Sequence, residues 1–164
     1  MTTIRLARTE DSKSLLDCEI HIWESLRGIL PEEWVSEEIT RIRKAGLMDH
    51  WKLFIQDETR IVLVAVEEDQ VVGLAYGRVE GGGTSWLSFL GVHLESRGKG
   101  LGRSLLQRFV DEAKGRGQMK VSLNTAPQLK AAISLYNSMG FLPEGLLRRH
   151  SYGVDLIIYS RFLD

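Results

Sequence analysis

Seven residues, Arg97-Gly98-Lys99-Gly100-Leu101-Gly102-Arg103, carry the densest chemical signal in the chain. Glycine lets a backbone approach a ligand closely and take a positive φ. Free N–H groups at a helix start, with the helix dipole behind them, attract anions. Arg97, Lys99 and Arg103 add cations of the kind that make charge-assisted hydrogen bonds to phosphate. Phosphate recognition is therefore the chemistry this segment offers, and a plain Gly-rich turn is the competing reading. Two phosphate motifs do not fit. The G-x-x-x-x-G-K-[S/T] spacing of nucleotidases is absent, and the dinucleotide pattern G-x-G-x-x-G fails at Arg103.

The segment needs a strand before it and a helix after it. Thr84–His93 reads as a strand and Gly100–Gly115 as an amphipathic helix. Upstream, Thr3–Arg8 alternates as a strand, and Thr9 or Asp11 can cap a helix running to about Ser25 with Leu15, Leu16, Ile20 and Trp23 at helical spacing. Pro31 suits the first turn of a second helix, with Glu32, Glu33, Glu37 and Glu38 complementing its dipole, Lys44 near its end and Gly46 as its stop. His50–Asp57 fits a helical turn better than a strand. Arg60–Glu67 and Val71–Val79 form a hairpin across Glu68-Asp69-Gln70, and Gly81-Gly82-Gly83 turns into the next strand. Lys120–Asn124 is a strand, Gln128–Met139 a helix closed by Gly140, and Phe141 onward returns to strand, the last expected over His150–Phe162. The predicted order is β-α-α-β-β-β-α-β-α-β-β, a mixed α/β fold around one sheet.

Arg97, Gly100 and Gly102 match R/Q-x-x-G-x-G/A, and Leu90-Gly91-Val92 precedes them. About 30 residues later stands Ala132-Ile-Ser-Leu-Tyr136-Asn-Ser-Met-Gly140-Phe141, which fits A-x-x-L-Y-x-x-x-G-F. Together these segments resemble the two signatures of the GCN5-related N-acetyltransferases (GNAT), and the element order resembles that family over nearly the whole chain. The resemblance implies a mostly antiparallel, splayed central sheet and acetyl-CoA as cosubstrate. It implies that the backbone of Leu90, Gly91 and Val92 pairs with the pantetheine amides, and that Gly98, Lys99, Gly100, Leu101, Gly102 and Arg103 hold the pyrophosphate beside Arg97. Tyr136 matches the general acid that protonates the departing thiolate; a phenol with pKa near 10 is suited to that at neutral pH. The reaction implied is direct attack of an amine on the thioester, with no acyl-enzyme.

The sequence departs from the family pattern at several positions. Leu129 stands where an Asn often contacts the cofactor, Leu94 where the turn usually has proline, and Asn124 and Trp86 where bases are sometimes found. No base is identified; a water relay through Asn124 is expected, with Glu80 and His93 as fallbacks. In such proteins the acceptor meets the first two helices and the last hairpin, here Trp23–Glu38 and about Arg148–Asp155. Trp23, Arg27, Trp86 and Tyr152 are the candidate acceptor contacts. The hairpin Arg148–Leu156 looks somewhat like that of the ribosomal-protein alanine acetyltransferases. The acceptor is therefore a small-molecule amine or a protein N-terminus, and homodimers are common in the family. An idle acyl-CoA-binding module, lacking turnover, is the alternative.

Composition bounds these readings. The 164 residues suit one domain, 1–164. The lone Cys18 forms no intrachain disulfide, and His21, His50, His93 and His150 are scattered without a zinc spacing, so no metal is expected. The N-terminus lacks an apolar signal core, and the longest apolar run, Ile61–Val66, is far below the roughly 20 residues of a membrane span. A cytoplasmic enzyme with no nucleic-acid or membrane partner is the expectation. The net charge of −1 hides a split: residues 1–95 hold 10 Lys/Arg against 17 Asp/Glu, and residues 96–164 hold 11 against 5. The second half favours an anionic partner and the first a cationic one.

Overall fold

A computed structural model describes residues 1–164. Seven strands form one sheet in the order β1-β2-β3-β4-β5-β7-β6: β1 (Thr2–Leu6), β2 (Arg60–Glu67), β3 (Gln70–Val79), β4 (Thr84–Val92), β5 (Lys120–Thr125), β6 (Leu142–Ser151) and β7 (Val154–Phe162). The helices are α1 (Ser12–Glu24), α2 (Glu32–Gly46), α3 (His50–Gln56), α4 (Leu101–Gly115) and α5 (Lys130–Ser138). Every strand pair is antiparallel except β4–β5. No helix is long and apolar enough to cross a membrane.

Helices cover both faces of the sheet, which explains the unbroken apolar run in β2. Ile61, Leu63 and Ala65 join Leu105, Leu106 and Phe109 of α4 in one core; Val62 and Val64 join Leu15, Cys18 and Ile22 of α1 in another. The α1 face therefore differs from the expected stripe: Leu15, Cys18, Glu19, Ile22 and Trp23 are buried, whereas Leu16 and Ile20 are only partly so.

Local details differ where side chains found other partners. Asp11 does not cap α1; its carboxylate accepts the Arg8 N–H at 2.7 Å and pairs with Arg5. Gly46 ends α2 from inside, and a Cβ there would lie 2.6 Å from Leu16 Cδ2, so its bareness lets α1 and α2 close together. The strand expected over His150–Phe162 is cut in two. Tyr152 and Gly153 both take positive φ and make a tight hairpin between β6 and β7.

Candidate active site

The parallel pairing of β4 with β5 stops at Leu87↔Leu123. Beyond it, β5 stays with β7 as far as Thr125↔Ile157, and β4 stays with β3 as far as Val92↔Gly73. The two central strands thus part company, and a cleft of about 1000 Å³ opens between them. The parting begins at a bulge. Tyr76 faces Phe89 and Gly77 faces Leu87, so Ser88 is one residue extra in β4. Gly77 permits it, because a Cβ at that position would lie 2.0 Å from the Trp86 carbonyl oxygen.

The opened edge of β4 has polar groups to offer. The His93 N–H donates to Val72, so by the alternation of an antiparallel ladder Leu90 and Val92 turn their polar groups away from β3, toward the opening. The Val92 carbonyl accepts Arg97 Nε at 3.0 Å. At the end of that edge the chain makes a 3-10 turn (Leu94–Ser96) and enters the Gly-rich loop. None of the six consecutive backbone N–H groups from Gly98 to Arg103 donates a hydrogen bond within the protein. Gly98 and Gly100 have φ of 78° and 79°, and a Cβ on either would project into open space. Free N–H groups, a helix start and room in front of both are the makings of an anion cradle.

The loop's cations do not all point there. Arg97 is a strut, donating to Val92 and, at 2.8 Å, to Ser25 Oγ. Lys99 lies outside the cleft lining because Glu67, also bound by Thr2 and Ser96, holds it at 3.2 Å. Arg103 lines the cleft and donates to Ser138 Oγ. The direct cradle is therefore backbone, with Arg97 and Arg103 supplying nearby charge.

Tyr136, on α5, reaches the same cleft from the opposite side; it is 6% exposed and burial pushes its phenol up to about 12. Asn124 and Leu129 also line the cleft, the former exposed. Leu90, Gly91, Val92, Gly98, Gly100, Leu101 and Gly102 join them, as does Trp23. Three candidate acceptor contacts do not. Arg27 is bound to Glu24 and Glu32, Trp86 lies in the paired part of β4 short of the opening, and Tyr152 stacks on Trp34 at 6.0 Å. Both fallback bases also lie outside the lining: Glu80 pairs with Arg78, and His93 stacks on His21 at 4.0 Å. Histidines distant in sequence thus meet in space, with Glu95 3.3 Å from His21 and 3.9 Å from His93.

Sequence reasoning missed a group on the far wall. Glu19 of α1 is 3% exposed, accepts the Tyr76 hydroxyl at 2.7 Å and lines the cleft together with Glu38 and Arg41. Burial pushes its carboxyl up to about 7, against the opposite pull of the Tyr76 hydrogen bond and Arg41. The available signal was a carboxylate inside the apolar face of an otherwise regular amphipathic helix. Cys18 beside it is buried, its thiol pushed up to about 12, and is no nucleophile.

Known proteins place this architecture. Residues 21–141 match the model of the acetyltransferase (GNAT) family. The PaiA N-acetyltransferase of Thermoplasma acidophilum, solved with coenzyme A, superposes with a TM-score of 0.79 at 20% identity over 96% of this chain and 98% of its own. The ribosomal-protein-S18-alanine N-acetyltransferase of Escherichia coli gives 0.74 at 22% identity, over 100% and 95%. YncA of Salmonella typhimurium, solved with its cofactor acetyl-CoA, gives 0.72 at 26% identity, over 100% and 95%. With the family model spanning most of the chain and the fold shared from end to end, this protein belongs to the GNAT family of acetyltransferases.

Proposed function

We propose that the protein transfers the acetyl group of acetyl-CoA to a primary amine, within one domain spanning residues 1–164. The observation that carries this reading is the continuous run of unpaired backbone donors at Gly98–Arg103, beside the opened edge of β4 and in the same cleft as Tyr136. The pyrophosphate fits the cradle, where two glycines leave open space. The pantetheine arm fits the polar edge of Leu90–Val92, which brings the thioester toward the part of the cleft lined by Asn124 and Tyr136.

Each residue then has a physical task. An N–H of β4 near Val92 polarises the thioester carbonyl as negative charge gathers on oxygen. The amine nitrogen attacks the carbonyl carbon once it has lost its ammonium proton. As the C–S bond breaks, Tyr136, held as a phenol, donates to the sulfur; the nitrogen's remaining surplus proton replaces the one lent. Asn124 neither gains nor loses a proton in this range and orients a water or the amine. The acceptor is a small-molecule amine or a protein N-terminus, and the protein acts in the cytoplasm.

Thiol release from acetyl-CoA, followed with a panel of amines and N-terminal peptides, tests the reading. Turnover that requires an acceptor is expected. Tyr136→Phe lowers kcat by about 100-fold while the affinity for acetyl-CoA stays within about twofold, because the lost interaction forms as charge develops on sulfur. Coenzyme A binding with no turnover for any acceptor would identify an idle module instead, and an unchanged kcat in the variant would remove Tyr136 as the acid.

A further inference from the structure

α1 presents Glu19, Ile22 and Trp23 to the cleft, the i, i+3 and i+4 positions of one helical face, and Leu26 in the turn after it lines the same wall. Within that apolar face Glu19 is a buried carboxylate. Tyr76 holds Oε1, and no group of the protein donates to the other oxygen. A carboxylate so placed lowers stability unless a cation answers it. The cation whose charge acts on it, Arg41 on α2, is committed to Glu38 through Nε at 3.0 Å and its terminal nitrogen. The other titratable groups around Glu19 are Tyr76 on β3, Cys18 on its own helix and, across the cleft on α3, His50.

Around this carboxylate the wall is aromatic. Phe89 stacks on Tyr76 at 5.6 Å, Trp51 and Phe54 meet the same ring edge-on at 5.1 and 5.8 Å, and Trp23 lies 6.0 Å from Phe89. The Trp23 indole N–H, one turn along from Glu19, is buried without a partner. Aromatic faces attract an ammonium ion and exclude water from it, and an apolar wall favours an apolar body behind the charge.

We infer that Glu19 receives the ammonium group of the acceptor and takes its proton, and that the acceptor is a small primary amine carried on an apolar, aromatic-sized body. This rests on the acetyl-transfer reading above. The ammonium gives one proton to Glu19 Oε2, and the freed nitrogen pair forms the C–N bond as the C–S bond breaks. The second surplus proton on nitrogen restores the one lent to sulfur, and Glu19 returns its proton to solvent. Its raised affinity for a proton, which brings it to half-ionisation near neutrality, suits that exchange.

Phenethylamine, 2-phenylethanol and spermidine are the probes, titrated calorimetrically into the coenzyme A-saturated protein and its Glu19→Gln variant. Both proteins should bind coenzyme A alike. Phenethylamine should bind the wild type at least tenfold better than spermidine or 2-phenylethanol, and should lose at least tenfold in Glu19→Gln. In thiol release from acetyl-CoA, wild-type kcat/KM should rise through pH about 7 and level off until the amine itself loses its proton near pH 10. Glu19→Gln should be about 100-fold slower at pH 7.5 and keep climbing tenfold per pH unit with the free amine. Tyr76→Phe, which removes the hydrogen bond favouring ionised Glu19, should move the wild-type limb to higher pH. Equal phenethylamine affinity and the same profile in wild type and Glu19→Gln, or a preference for spermidine, would overturn the role of Glu19. Loss of coenzyme A binding by the wild type would instead overturn the acetyl-transfer reading.

Discussion

Burial raises the proton affinity of two titratable groups at the cleft. Burial pushes the Tyr136 phenol up to about 12, so it stays protonated through the neutral range, the state that the proposed acid requires. The Glu19 carboxyl is pushed up by the same cause, and that has a stability consequence. Its folded pKa lies above its unfolded one, so between pH about 4.5 and 7 the native state binds the proton more tightly than the unfolded chain does. Stability associated with this group therefore falls as pH rises through that window. Glu19→Gln, which cannot ionise, should melt several degrees above the wild type at pH 8 and match it below pH 4.5; a lower melting temperature at pH 8 would mean that the charge is stabilising. These residues differed in how well the sequence displayed them. Tyr136 stands in a spaced motif with Gly140 and Phe141, whereas Glu19 belongs to no motif. At helical spacing Glu19 falls between Leu15 and Trp23, inside the apolar stripe, but only packing against β3 brings the Tyr76 hydroxyl to it.

Among the elements, β4 does most to shape the cleft. The glycine turn before it and the Gly-rich loop after it make the strand legible, as β-branched runs do for β2 and β3, Glu68-Asp69-Gln70 for their hairpin and amphipathic spacing for α4. The Ser88 bulge was not, since one extra residue leaves the composition of a strand unchanged and is seen only in its pairing with β3. Gly77, opposite the bulge, is its sequence trace. In Gly77→Ala the new Cβ meets the Trp86 carbonyl oxygen at 2.0 Å and the Leu87 Cα at 2.9 Å, both backbone, so β3 and β4 must separate. A loss of about 3 kcal/mol is expected, read as a melting temperature lower by roughly 6–12 °C, together with weaker acetyl-CoA binding. A variant as stable as wild type would show that the bulge relaxes without cost. The strand expected over His150–Phe162 overran the turn for a related reason: Tyr152 takes positive φ in the turn, and Arg149 does so inside β6 at a register shift, without either being glycine.

Over the whole molecule, the division of charge follows the division of labour in the cleft. The basic half from residue 96 contains the Gly-rich loop and α4, with Arg97 and Arg103 near the cradle. The acidic half supplies α1 and α2, where most carboxylates face solvent or pair with Arg27 and Arg41, and Glu19 and Glu38 alone of the acids reach the cleft. One end of the cleft thus suits a phosphate-bearing acyl donor and the other a cationic acceptor, with the parted strands β4 and β5 between them. We propose above all that free backbone N–H groups at the start of α4 hold the acetyl donor. Calorimetric titration of acetyl-CoA into the wild type and into Gly100→Trp, with circular dichroism confirming that the variant is folded, tests it most directly. One site with a dissociation constant on the order of 10 μM is expected for the wild type. No measurable heat is expected for Gly100→Trp, whose side chain occupies the open space before the cradle. Equal binding by both proteins, or none by the wild type, would contradict the claim.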